Sequence, residues 1–112
     1  MAEVIVTEEL ESKINKKFKK EAVQIFELIH SLKVNPKKGK PLGQVGGIVI
    51  KELRYRGYRL YFITDGYKLK FLKVDELTNL LIKFVRISDK KSQQKTIEEI
   101  KNILRKFGSD GL

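Results

Sequence analysis

A chain of 112 residues fits one domain spanning 1–112, long enough to bury a single core without covalent help. It has no cysteine, which excludes disulfides and thiolate metal sites and points to a reducing compartment. Its formal charge of +10 points to a polyanionic partner. No apolar run is long enough to span a membrane, and no basic-then-apolar leader opens the chain, so a cytoplasmic protein without a membrane partner is expected. Charge alone does not choose between a polyanion partner and a generally lysine-rich surface, so the placement of the basic residues has to decide.

In chain order, Glu3 to Thr7 is a short β-prone run, and Thr7 followed by Glu8-Glu9 is a helix cap with an acidic first turn. Leu10, Ile14 and Phe18 then recur every four residues, which predicts a short one-sided helix. Ala22, Val23, Ile25, Phe26, Ile29 and Leu32 form the wide stripe of a second helix, which must end before Asn35-Pro36. His30, the only histidine, lies at the edge of that stripe and reads as a packed or half-exposed helix residue rather than a catalytic base. Pro36 to Gly47 carries both prolines and four of the eight glycines and reads as a loop, with Lys38 and Lys40 as a candidate phosphate-contacting fringe.

Two alternating β-prone runs flank Arg56-Gly57, the expected pattern of a hairpin. With the turn there, Tyr55 opposes Tyr58, Arg54 opposes Arg59, Leu53 opposes Leu60 and Glu52 opposes Tyr61. One face then carries Leu53, Leu60 and Phe62, and the other Glu52, Arg54, Arg59 and Tyr61. Asp65-Gly66 between alternating runs predicts a second hairpin, in which Phe62 faces Leu69, Leu60 faces Phe71 and Tyr61 faces Lys70. Together the two registers predict one sheet. Its apolar side, with Leu69 and Phe71 added, meets the helices, and its basic side holds Arg54, Arg59, Tyr61, Lys68 and Lys70.

Leu80 to Ile87 is almost continuously apolar, which predicts an interior strand. Ser88 to Lys95 reads as a basic loop, and Thr96-Ile97-Glu98-Glu99 as a capping box that starts a last helix. Ile97, Ile100, Ile103, Leu104 and Phe107 are its stripe, and Gly108 its stop. The expected class is α+β, a mainly antiparallel sheet of about five strands with two N-terminal helices and one C-terminal helix.

The order strand, helix, helix, Asn-Pro loop, Glu52-Leu53-Arg54, Gly57-Tyr58-Arg59, Lys90-Lys91-Ser92-Gln93 and terminal helix resembles the RelE/ParE toxin superfamily, most nearly its HigB-like, phage-derived branch. The resemblance runs over nearly the whole chain. It implies a RelE-like fold and the toxin of a toxin–antitoxin pair, commonly an endoribonuclease that cuts mRNA on the ribosome and in some members a gyrase poison. The implied partners are mRNA on the ribosome and a cognate antitoxin protein, with no metal and no other cofactor. By resemblance, Arg59 matches the strand arginine that holds the scissile phosphate, Arg54 the second basic position on that face, and Lys90 and Lys91 the family's basic loop.

RNA cleavage through the 2′-hydroxyl needs a base, a stabiliser of the phosphorane charge and an acid for the leaving oxygen. Arginine suits the middle task, because its fork binds phosphate oxygens bidentately and stays charged. Arg59 and Arg54 are therefore assigned to the phosphate. Glu52 is the nearby carboxylate, although one held between two arginines is a weak base. Lys91 is the candidate lysine, if crowding by Arg59, Lys68 and Lys70 lowers its proton affinity. Tyr61 is placed to stack on a base. No His or Tyr follows Tyr67, which keeps open a non-catalytic nucleic-acid- or protein-binding module on the same fold.

Overall fold

The computed structural model describes residues 1–112. β1 (Glu3–Val6) leads into α1 (Glu8–Phe18), where the Thr7 hydroxyl accepts the Leu10 N–H at 3.3 Å as an N-cap. A 3-10 turn joins α1 to α2 (Ala22–His30), and a second 3-10 turn ends at Lys33, ahead of Asn35-Pro36. β2 (Lys40–Val45), β3 (Ile48–Tyr55) and β4 (Tyr58–Asp65) follow. Next come the short α3 (Gly66–Phe71), β5 (Leu81–Asp89) and α4 (Gln93–Phe107), which stops at Gly108 with φ +69°. The strands form one five-stranded sheet in the order β1-β5-β4-β3-β2, parallel only between β1 and β5. This is the α+β arrangement expected, and no helix is long and apolar enough to cross a membrane.

The β3–β4 hairpin has the expected register, with Tyr55 opposite Tyr58, Arg54 opposite Arg59, Leu53 opposite Leu60 and Glu52 opposite Tyr61. Alternation sends Leu53, Leu60 and Phe62 to one face. There α1, α2 and the 3-10 turn after α2 bury Leu10, Ile14, Ile25, Ile29 and Leu32 against them, with Ile82 and Phe84 from β5. β5 is interior, lying between β1 and β4, as its apolar run requires.

The opposite face departs from expectation. Glu52, Arg54, Arg59 and Tyr61 do share it, but it is not open along its length, because α4 lays Ile97, Ile100 and Leu104 across Ile50, Tyr61, Ile63 and Val85. Ile50 and Ile63 have the same parity as Glu52 and Tyr61, so this face is apolar over one half of the strands and charged over the other. A register shift between Tyr61 and Phe62 makes Val85 the extra residue of a bulge in β5. The bulge lets Val85 enter the α4 core while its neighbour Arg86 reaches Glu99 on the same helix.

Three further expectations are corrected. Asp65-Gly66 does not turn a second hairpin: the Asp65 carboxylate accepts the N–H groups of Tyr67 and Lys68 at 2.9 and 3.1 Å and caps α3. β4 already pairs with β3 on one edge and β5 on the other, so no edge remains for residues 67–71. Leu69 is half-buried against the α1/α2 core, but Phe71 is 70% exposed. The Pro36 to Gly47 segment contains β2 as well as a loop. As an edge strand it tolerates Pro41, and its register with β3 slips between Pro41 and Gly43. Finally, α4 begins at Gln93, a turn before the supposed capping box, and the Thr96 hydroxyl donates to the Ser92 carbonyl at 2.8 Å from inside the helix.

Candidate nucleic-acid interface

The strand directions bring one set of charges to one end of the sheet. β2 starts there with Lys40 opposite Glu52, β3 ends there with Arg54, β4 starts there with Arg59, and β5 ends there with Ser88 and Asp89 opposite Arg59 and Tyr58. The β3–β4 turn with Arg56 and the β5–α4 connection with Lys90 and Lys91 extend beyond it. Lys38, Lys40, Lys90 and Lys91 are all exposed. The C-terminal part of α1 reaches the same end, with the Lys17 ammonium 4.8 Å from the Tyr58 ring centre and Phe18 edge-on to that ring at 5.0 Å. Lys13, Lys17 and Lys95 line a groove of about 280 Å³ there.

At the centre of this end a carboxylate stands between two guanidinium groups. Glu52 Oε1 is 3.6 Å from Arg54 Nε, and Glu52 Oε2 is 3.9 Å from Arg59 Nε. The Glu52 side chain is 1% exposed and that of Arg59 8%, whereas Arg54 is 57% exposed. Arg59 Nη1 donates to the Gly57 carbonyl at 3.3 Å. Both Glu52 oxygens and Arg59 Nε are buried without a hydrogen-bond partner. The anion offsets the repulsion of Arg54 and Arg59, which face each other across the hairpin. Arg59 is therefore not the freely projecting side chain expected, because the face it occupies is partly roofed. Arg54 is the guanidinium whose fork is open to a ligand.

The neighbouring groups are engaged. Tyr61 is fully buried and its hydroxyl shares a 2.7 Å hydrogen bond with Ser88 Oγ, so it has no free ring face on which a base could stack. Burial pushes the Tyr61 phenol up, against the opposing effect of that hydrogen bond. The Ser92 backbone N–H holds the Asp89 carboxyl below its usual range. Arg86 Nε donates to Glu99 Oε1 at 2.7 Å and its Nη1 to the Val85 carbonyl at 2.8 Å.

Lys68 and Lys70 do not belong to this cluster. They lie on α3, which follows the far end of β4, beside a separate cleft of about 640 Å³ lined by Ile48, Ile63, Tyr67, Lys68, Leu81 and Lys83. Their assignment to the basic face falls with the second hairpin. The expected crowding of Lys91 by Lys68 and Lys70 falls with it. His30 is exposed on α2, the layer across the sheet from Glu52. No group of three or more His, Cys, Asp or Glu side chains is placed to hold a metal ion.

One residue escaped the sequence reading. Lys51 is 5% exposed on the α1/α2 face, its ammonium donating to the Lys37 carbonyl at 2.9 Å and lying 5.9 Å from the Phe62 ring centre. Burial, and secondly Lys37, push its pKa down. The signal was present, since Lys51 has the parity of Leu53 and must point to the apolar side. No family model matches the chain, and no curated protein or solved structure matches it.

Proposed function

We propose that this protein is the toxin of a toxin–antitoxin pair, an endoribonuclease that cuts mRNA on the ribosome in the cytoplasm and is restrained by a cognate antitoxin. The observation that carries the reading is the exposed Arg54 beside the sheltered Arg59 at a sheet end also marked by Arg56, Lys40, Lys90 and Lys91. The resemblance of Glu52-Leu53-Arg54, Gly57-Tyr58-Arg59 and Lys90-Lys91-Ser92-Gln93 to the RelE/ParE superfamily supplies the reaction class. In this reading Arg54 takes the phosphate first, Arg59 adds charge behind it, and the surrounding lysines hold the flanking backbone by contacts that do not depend on base identity.

A second reading, a non-catalytic RNA-binding module on the same fold, is favoured by a specific observation. Tyr61 is fully buried and bonded to Ser88, and the Asp89 carboxylate is held by the Ser92 N–H, so neither group is free to act as a general base at this end. Inducible expression without antitoxin separates the two. Growth arrest with new mRNA 5′ ends inside coding regions, both lost in Arg54→Ala, supports the nuclease. A folded, well-expressed wild type that leaves growth and mRNA ends unchanged rules the nuclease out and leaves the binding module.

A further inference from the structure

The three buried polar atoms without partners, Glu52 Oε1, Glu52 Oε2 and Arg59 Nε, occupy one spot. An ion pair that only braces the fold is expected to close to hydrogen-bond distance, because both ions have given up water and need directed bonds in return. Here the carboxylate stands 3.6 Å from one guanidinium and 3.9 Å from the other, attracted to both and hydrogen-bonded to neither. Arg59 meanwhile extends Nη1 to Gly57 at the β3–β4 turn, toward the basic end of the sheet.

Resting on the RNA-directed reading above, we infer that Glu52 is an exchangeable internal anion, which occupies Arg59 in the free protein and yields it to an RNA phosphate. The two opposed arginines need negative charge between them when nothing is bound. A phosphate offers the guanidinium fork parallel, directed hydrogen bonds that the displaced carboxylate does not make. Glu52 keeps the exposed Arg54 as its own counter-ion after the exchange. Glu52 is thus a positioning residue. It holds the Arg59 guanidinium in place and lowers affinity for RNA, and it takes no part in bond breaking.

The test is Glu52→Gln, assayed by binding of a single-stranded RNA oligonucleotide across a salt series. The expected result is binding about tenfold tighter at low salt, the worth of one charge-assisted hydrogen bond. The dependence of log K on log salt should stay as in the wild type, because Arg59 meets the same phosphate in both and only the competing carboxylate is gone. Glu27→Gln is the control: it removes an exposed carboxylate on α2, across the sheet from Glu52, and the gain should not follow. In an Arg59→Gln background, Glu52→Gln should have no effect. An equal gain from Glu27→Gln, a gain that survives in Arg59→Gln, or no gain at all would overturn the exchange. A wild type that does not bind RNA even at low salt contradicts the underlying RNA reading, whereas an unchanged Glu52→Gln beside a binding wild type overturns the exchange alone. If Glu52→Gln does not fold, the Arg59 Nε–H resonance of the wild type gives the answer. It should shift on titration with the same RNA, and a resonance unmoved at saturation overturns the exchange.

Discussion

At the scale of single residues, Arg54 and Arg59 look alike in the sequence and differ in the structure. Arg59→Ala leaves Glu52 enclosed beside one exposed arginine, and removing one partner of a buried pair costs roughly 3–5 kcal/mol. Arg54→Ala truncates a side chain that is 57% exposed and leaves Glu52 its enclosed partner Arg59, so it should cost about 1 kcal/mol or less. Urea melts of the two variants check this, and equal small losses would show that Arg59 is not enclosed. Under the proposed toxin reading, loss of toxicity in Arg59→Ala therefore says nothing of chemistry until its fold is measured, which makes Arg54→Ala the cleaner functional probe. Lys51 has its own signature. Its folded pKa lies below the unfolded value, so between the two the unfolded chain holds the extra proton and stability rises with pH. Below the folded value the penalty is complete, and above the unfolded value it is gone. Lys51→Met should flatten this alkaline rise in stability, and an undiminished slope would assign it to another group.

At the scale of elements, the pair Phe62→Ala and Phe71→Ala tests which part of the predicted sheet is real. Phe62 is fully buried and its truncation should cost roughly 3–5 kcal/mol, while Phe71, 70% exposed on α3, should change stability by less than about 0.5 kcal/mol. A large loss at Phe71 would restore the second hairpin. The elements legible in the sequence were those whose local signals agree. β3 and β4 alternate on both sides of Arg56-Gly57, α1 has Thr7 and an acidic first turn, and β5 is apolar enough to need both neighbours. β2 was hidden because Pro41 and Gly43 have poor strand propensity and the strand exists only because β3 offers it an edge. α3 was hidden because Asp-Gly opens a hairpin or caps a helix equally well, and only the occupied edges of β4 decide. The candidate site was legible to the same depth. Register alone joins Glu52, Arg54 and Arg59, but the enclosure of Arg59 depends on what lies over that face, which alternation within a hairpin does not contain.

At the scale of the whole molecule, a formal charge of +10 becomes informative only through its placement. The topology carries the ends of β3 and β5 and the starts of β2 and β4 to one edge of the molecule, and the lysine-rich end of α1 joins them through the Lys17–Tyr58 contact. The central claim is that this edge binds RNA through phosphates. Its most direct measurement is the affinity of the wild type for single-stranded RNA as salt is raised from about 50 to 200 mM. With about six phosphate contacts at a slope of about −0.7 each, affinity should fall by roughly a few hundredfold, and Arg54→Ala should make the slope shallower by about 0.7. A fall of less than roughly tenfold, or a slope that Arg54→Ala leaves unchanged, would contradict the account.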